Sequence, residues 1–144
     1  TDGSTVDGVT IDGMVMAGPL NLAARLQGSV QNDYIVGGDY RDRIVGGAGD
    51  DVLTGGGSHG TFDPTDVFLF KPGSGNDVIT DFHGTDKINI DAYLRHGAHP
   101  TLSDTSDGAV IDLGGGNSIT LLGVASSELV PTTTGFEVTS IVVG

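Results

Sequence analysis

A nine-residue period runs through the middle of the chain, and few folds can accommodate it. Aligned on that period, the sequence reads GSVQNDYIV (28–36), GGDYRDRIV (37–45) and GGAGDDVLT (46–54). The sixth position is Asp33, Asp42 and Asp51, and the eighth is Ile35, Ile44 and Leu53. A fourth copy opens on Gly55 and Gly56, but its sixth position falls on Gly60. Asp66, Val67 and Phe68 restore the ending six residues later, so the stretch GSHGTFDPT holds a six-residue insertion. The period resumes with PGSGNDVIT (72–80) and DFHGTDKIN (81–89), which place Asp77 and Asp86 sixth and Ile79 and Ile88 eighth. Repetition at one phase is the mark of stacked units, each burying its apolar residue against its neighbours.

Each position in the unit has a physical reason. Gly at the first, second and fourth places permits positive φ and close backbone approach, so that several carbonyls converge on one point. Asp at the sixth adds an anionic oxygen where the loop enters a strand. The segments YIV, RIV, VLT and VIT suit short strands with the eighth residue turned inward. Carbonyls plus carboxylates, without nitrogen or sulfur donors, describe a Ca²⁺ cage of roughly 6–8 oxygens. Mg²⁺ fits less well, because it keeps its waters and demands octahedral geometry.

Composition narrows the partners. Among 144 residues there are 25 Gly and only 5 Pro, which excludes collagen, and the aliphatic content is too high for simple disorder. The formal charge is −13, from 19 acidic and 6 basic residues. That balance excludes nucleic acid and an anionic membrane surface as partners, since both need a basic footprint. It fits bound cations and a well-solvated acidic surface alike. Cys is absent, so disulfides and thiolate metal sites are excluded. No apolar run reaches the length of a membrane span. A chain opening on Thr1 is expected to be a piece of a longer or processed product.

The unit GGAGDDVLT matches the nonapeptide G-G-x-G-x-D-x-U-x of RTX (repeats-in-toxin) proteins. The stretch TDVFLFKPGSGNDVITDFHGTDKINI (65–90) is similar to the end of the roll in serralysin-type proteases and in the R-modules of alginate epimerases. The resemblance implies an all-β fold, a right-handed parallel β-roll over 28–90. Each nonapeptide forms half a turn, and loops alternate between two edges. It implies that Asp33, Asp51 and Asp77 share one edge, with Asp42, Asp66 and Asp86 on the other. The matching loop residues are Gly46, Gly47 and Gly49, then Gly37, Gly38, Gly55, Gly56, Gly73 and Gly75, while Asp81 stands where such rolls often place a last ligand. About three to five Ca²⁺ ions are expected, those using residues 46–51 held most tightly. Ser29, Gln31, Tyr40 and Pro72 depart from the pattern.

Residues 1–27 contain the alternating piece TVDGVTIDGMVM and are expected to cap the roll's open end with a strand pair. From 91 to 144 the period disappears. There AVIDLGGGNSITLLGV (109–124) reads as a hairpin and FEVTSIVVG (136–144) as a final strand. By resemblance such a tail packs on the last turns and carries a type I secretion signal. Glu137 ahead of Ile141, Val142 and Val143 resembles that signal, and a core strand explains it equally well.

Catalysis finds little purchase. HGAH (96–99) has two His without an obvious third ligand, H-E-x-x-H and G-x-S-x-G are absent, and GSGND (73–77) lacks the Lys of a phosphate loop. Asp50 and Asp51 fall on the repeat and point to opposite faces, which argues against a glycosidase pair. The aromatics Tyr34, Phe62, Phe68, Phe70, Phe82 and Tyr93 are expected to fill the roll rather than line a sugar platform. The expectation is therefore a non-catalytic calcium-binding module of a secreted or cell-surface bacterial protein, folding on Ca²⁺ outside the cell and partnered by the type I secretion machinery. The alternative is a calcium-dependent carbohydrate-binding or adhesion module with a polysaccharide ligand. Within the clean repeats only Arg41 and Arg43 serve that alternative.

Overall fold

The computed structural model describes residues 8–11, 14–17, 25–37, 41–56, 65–82, 86–131 and 135–138. The strands are β1 (Gly8–Ile11), β2 (Met14–Ala17), β3 (Arg25–Gln27), β4 (Tyr34–Val36), β5 (Arg43–Val45), β6 (Val52–Thr54), β7 (Val67–Leu69), β8 (Asn76–Ile79) and β9 (Lys87–Asn89), followed by a single turn of helix, α1 (Asp91–Arg95). Five more strands come after it: β10 (Thr101–Asp104), β11 (Gly108–Gly114), β12 (Asn117–Leu122), β13 (Leu129–Pro131) and β14 (Gly135–Val138). The protein is all-β; among the described residues helix is confined to α1 and a 3-10 turn at Ser126–Glu128.

Successive repeat strands alternate between two sheets. The first sheet runs β1-β2-β4-β6-β8-β12-β11-β10, and the second runs β13-β14-β9-β7-β5-β3. Pairing is parallel from β2 through β4, β6 and β8 to β12, and from β3 through β5 and β7 to β9. Both sheets are nonetheless mixed, because β1, β10, β11, β13 and β14 join antiparallel at their ends. TVDGVTIDGMVM does contain a strand pair, β1 with β2, and AVIDLGGGNSITLLGV does form a hairpin, β11 with β12. The pairing of β2 and β3 with repeat strands carries the parallel order one strand upstream of residue 28 on each sheet. For FEVTSIVVG only 136–138 are described, as part of β14; residues 139–144 lie outside the described residues.

Register explains why the eighth position is aliphatic. Ile35 lies beside Leu53 and Leu53 beside Ile79; in the other sheet Leu26, Ile44, Phe68 and Ile88 align in the same way. All seven are at most 1% exposed. Each such side chain stabilises the fold by about 1.5–3 kcal/mol on leaving water. Phe68 meets Phe82 edge to face, with ring centroids 6.2 Å apart. Phe70, Phe82 and Tyr93 are buried at the C-terminal end of the core, while Tyr34 is 45% exposed. Most of the described aromatics thus fill the interior; Phe62 lies outside the described residues.

The outward positions differ between the sheets. On β4, β6 and β8 the sequences YIV, VLT and NDVI, with Thr80 beyond, present Val, Thr and Tyr, and the Thr54 and Thr80 hydroxyls are 2.6 Å apart. On the second sheet Arg43, Val67 and Lys87 stand in one cross-strand row.

Candidate metal centre

The sixth-position aspartates form two ladders, one along each edge. On the first edge the amide of Asp33 donates to Oδ1 of Asp51 (2.8 Å), and the amide of Asp51 donates to Oδ1 of Asp77 (2.9 Å). On the second, the amide of Asp42 donates to Oδ1 of Asp66 and that of Asp66 to Oδ1 of Asp86, both at 2.9 Å. All six are at most 3% exposed. They point inward because the sixth and eighth residues of a strand share a face. The insertion does not break the second ladder: Asp66 takes the rung that Gly60 would have held, and Val67 donates to the carbonyl of Asp42 at 2.9 Å.

The fifth positions lace the first edge in the opposite sense. The amide of Asp50 donates to Oδ1 of Asn32 (2.8 Å) and that of Asn76 to Oδ1 of Asp50 (2.9 Å). The recurrence of Asn or Asp just before the sixth position was the sequence signal for this second ladder, and the nonapeptide consensus leaves that place blank.

The loop glycines serve two different needs. Those at the second and fourth places, Gly47, Gly49, Gly56, Gly73 and Gly75, have φ between 86° and 109°, where a Cβ is strained. Those at the first place are needed for room. A Cβ on Gly46 would stand 2.3 Å from Oδ2 of Asp51, and one on Gly55 2.3 Å from Oδ2 of Asp66. On Gly28 and Gly37 it would stand 2.4 Å from Oδ2 of Asp33 and of Asp42, and closer still to the carbonyl oxygens of Gly46 and Gly55 respectively. Asp33, Asp42, Asp51 and Asp66 therefore fold back against the opening of their own loops, and for Asp33 and Asp42 a carbonyl of the next loop lies beside that opening.

Where Ser29 replaces the second glycine, its amide (2.5 Å) and hydroxyl donate to the Asp33 carboxylate. Oδ2 of Asp51 and Oδ2 of Asp77 are buried without a hydrogen-bond partner, and the Ser74 hydroxyl exerts only a minor lowering pull on the Asp77 carboxyl. Burial raises these carboxyls above the usual 3.8, Asp51 to about 6 and Asp77 to about 8; on the second edge burial raises Asp66 to about 7. Neighbouring carboxylates push in the same direction, against backbone hydrogen bonds that lower all three. Ionising a buried carboxyl whose oxygen lacks a donor is costly unless a cation meets it. Oxygen donors alone, part carboxylate and part carbonyl, suit Ca²⁺. Among the described residues no three His, Asp or Glu side chains converge on one point, so an ion here must take part of its shell from the backbone.

Most of the residues named from sequence lie on these two edges. Gly37, Gly46, Gly47, Gly49, Gly55, Gly56, Gly73 and Gly75 are in the stacked loops, and Gly38, with Tyr40, lies outside the described residues. Asp81 occupies a first position, and its carboxylate accepts from the amides of Gly55 (2.8 Å) and Gly56 (2.9 Å). In this structure it anchors the preceding loop. Pro72 takes the first place of its unit within a turn. Among the HGAH pair, Nδ1 of His96 is 2.7 Å from the carbonyl of Ala92 and His99 is exposed, which brings no zinc site together.

Comparison with known families matches residues 27–62 to the RTX calcium-binding nonapeptide repeat, in four copies. No curated protein matches the chain. The ladders at Asp66, Asp77 and Asp86 continue beyond the matched segment with the same hydrogen-bond geometry. RTX nonapeptide repeats bind calcium, and the ladder, the glycine spacing and the family match agree that residues 27–62 carry RTX calcium-binding repeats.

Proposed function

We propose that this is a non-catalytic calcium-binding module that folds as a parallel β-roll on Ca²⁺ outside the cell. In that role it supports type I secretion and the stability of a larger secreted protein. The observation that carries the reading is the pair of buried, donorless Oδ2 atoms of Asp51 and Asp77 beside stacked glycine loops. The described ladders have four loop-to-loop intervals, Asp33–Asp51, Asp51–Asp77, Asp42–Asp66 and Asp66–Asp86, so about four ions fit the arrangement. Without them the carboxylates repel one another; with them, binding supplies folding free energy. Each ion present at 100 times its Kd adds about 2.7 kcal/mol. A chain built this way stays loose where Ca²⁺ is scarce and sets where it is plentiful, which suits export before folding. RTX repeats are typical of secreted bacterial proteins. No helix among the described residues is long and apolar enough to cross a membrane.

Far-UV circular dichroism of an EDTA-treated sample, titrated with Ca²⁺ and separately with Mg²⁺, tests the reading. A cooperative gain of β signal with Ca²⁺ and little with Mg²⁺ is expected. A spectrum already β-rich in EDTA and unmoved by Ca²⁺ would sink it.

A second reading, a calcium-dependent carbohydrate-binding or adhesion module, has one observation in its favour. Arg43 and Lys87, both exposed, stand in one row across the second sheet with Val67 between them. Beside it lies a groove of about 230 Å³ lined by Gln27, Val45, Leu69 and Lys71. Replacing Arg41 and Arg43 by Ser discriminates: polysaccharide binding lost with the calcium-induced spectrum intact supports this reading, and unchanged binding removes it.

A further inference from the structure

The first-edge ladder ends at Asp77, and the strand stacked beyond it, β12, is not an ordinary flanking strand. It lies parallel to β8 with Ser118 beside Asn76, Ile119 beside Asp77, Thr120 beside Val78 and Leu121 beside Ile79. Continued back by the same offset, Gly114–Leu122 aligns in sequence with Pro72–Thr80 and reads GGGNSITLL. This is a nonapeptide unit in register, with Gly first and second, Leu eighth and Ile119 in the acidic place. Ile119 and Leu121 are both fully buried, as the sixth and eighth residues of a repeat are.

The lacing of the fifth position continues onto this rung. The Ser118 hydroxyl donates to Oδ1 of Asn76 (2.9 Å), the amide of Gly75 donates to Oδ1 of Asn117 (2.9 Å), and the amide of Ser118 donates to the carbonyl of Gly75 (3.0 Å). Two features of a cation site are missing. Ile119 offers no oxygen, and positive φ falls on three consecutive glycines, Gly114, Gly115 and Gly116, instead of on the second and fourth places. The turn therefore differs in shape from the loops that stack below it. Hydrogen bonds to Asn117 and from Ser118 join the two turns here.

We propose that β12 is a metal-free stop rung and that Ile119 sets the number of cations on the first edge. A loop inside the column has a neighbour on each side, so Asp51 borders two loop-to-loop intervals. Asp77 has a repeat loop on one side and the stop rung on the other, so it serves a single ion. The inference rests on the calcium reading of these loops.

The test is an ion count on the full chain by native mass spectrometry, with equilibrium dialysis as a check, for the wild type, Asp51→Asn, Asp77→Asn and Asn117→Ala. Asp51→Asn should lose two ions and Asp77→Asn one. Asn117→Ala should keep the wild-type count while melting lower by a similar margin with and without Ca²⁺. Equal losses from Asp51→Asn and Asp77→Asn, with the wild type binding normally, would overturn the stop rung alone. So would one ion lost from Asn117→Ala, a mild surface change whose count remains readable if Asp51→Asn does not fold. A wild type that binds no Ca²⁺ overturns the calcium reading, and the stop rung with it.

Discussion

β8 and β12 are neighbours in one sheet and bury the same two positions, yet β8 buries Asp77 and Ile79 where β12 buries Ile119 and Leu121. That exchange divides the molecule. Along the repeats, every second inward residue is a carboxylate whose burial is unfavourable until a cation arrives. In the β11–β12 hairpin the inward residues are Ala109, Ile111, Leu113, Ile119 and Leu121, all buried and all apolar. The hydrophobic effect suffices to hold the hairpin down, whereas in the repeats it works against the desolvation of six aspartates. On the proposed calcium reading, one sheet joins a metal-dependent half to a metal-independent half.

Calcium removal should break the comparison open most widely. Hydrogen exchange in EDTA is expected to release the amides of residues 33–36, 42–45, 51–54 and 66–69 by several orders of magnitude. The amides of 109–113 and 118–122 should keep more of their protection, since their ladder needs no ion. Uniform loss along the chain would show that the two halves unfold as one unit and that the contrast in buried residues has no energetic consequence.

A smaller but more diagnostic effect is expected from pH. The carboxyls of Asp51, Asp66 and Asp77 titrate near 6, 7 and 8 in the fold, against about 3.8 when exposed. Raised values mean that the folded chain holds its protons more tightly than the unfolded chain does. The metal-free repeats gain this stability in full below about pH 4 and lose it progressively as pH rises through 6 to 8. Calcium competes for the same oxygens, so its apparent affinity should climb over that window and level off above about pH 8. Melting in EDTA at pH 5 and pH 8 should place the higher midpoint at pH 5, and saturating Ca²⁺ should raise the pH 8 midpoint the more. An EDTA midpoint that rises with pH would mean that these carboxylates are already compensated without metal.

The physical origin of each feature decides how far it was legible in the sequence. The ladder aspartates and the inward Ile35, Ile44, Leu53, Phe68, Ile79 and Ile88 could be read from the period alone, because loop shape and strand alternation are local properties. The assignment of Asp33, Asp51 and Asp77 to one edge also comes from the half-turn geometry that the resemblance implies. The rung at Gly114–Leu122 was not legible. It lies 42 residues from its partner, off the nine-residue period, and its acidic place is filled by Ile119, so only tertiary pairing reveals it. β10 and β13 are illegible for a similar reason: both are edge strands, TLSD wholly exposed and LVP burying only Leu129, and their order comes from their neighbours. The donor role of Ser29 toward Asp33 was hidden by its reading as a departure from glycine, although a hydroxyl residue four places before an aspartate is a local hydrogen-bonding signal.

The smallest expected effects sharpen the comparison at the level of single glycines. Gly46 and Gly116 both open or turn a loop on the first edge, but for different reasons. Gly46 has no room for a Cβ, which would stand 2.3 Å from Oδ2 of Asp51. Gly116 has nothing within 4 Å and needs glycine only for its φ of 86°. Gly46→Ala should therefore displace a ladder carboxylate and weaken calcium binding about tenfold, a loss of about 1.4 kcal/mol. Gly116→Ala should cost about 1–2 kcal/mol through backbone strain alone and leave calcium affinity unchanged. Isothermal titration calorimetry beside thermal melts with and without Ca²⁺ separates the two. For Gly46→Ala the drop in midpoint should grow when Ca²⁺ is present, and for Gly116→Ala it should not. If both variants lost affinity together, the turn at Gly114–Gly116 would be part of a cation shell, and the boundary between the two halves would lie beyond β12.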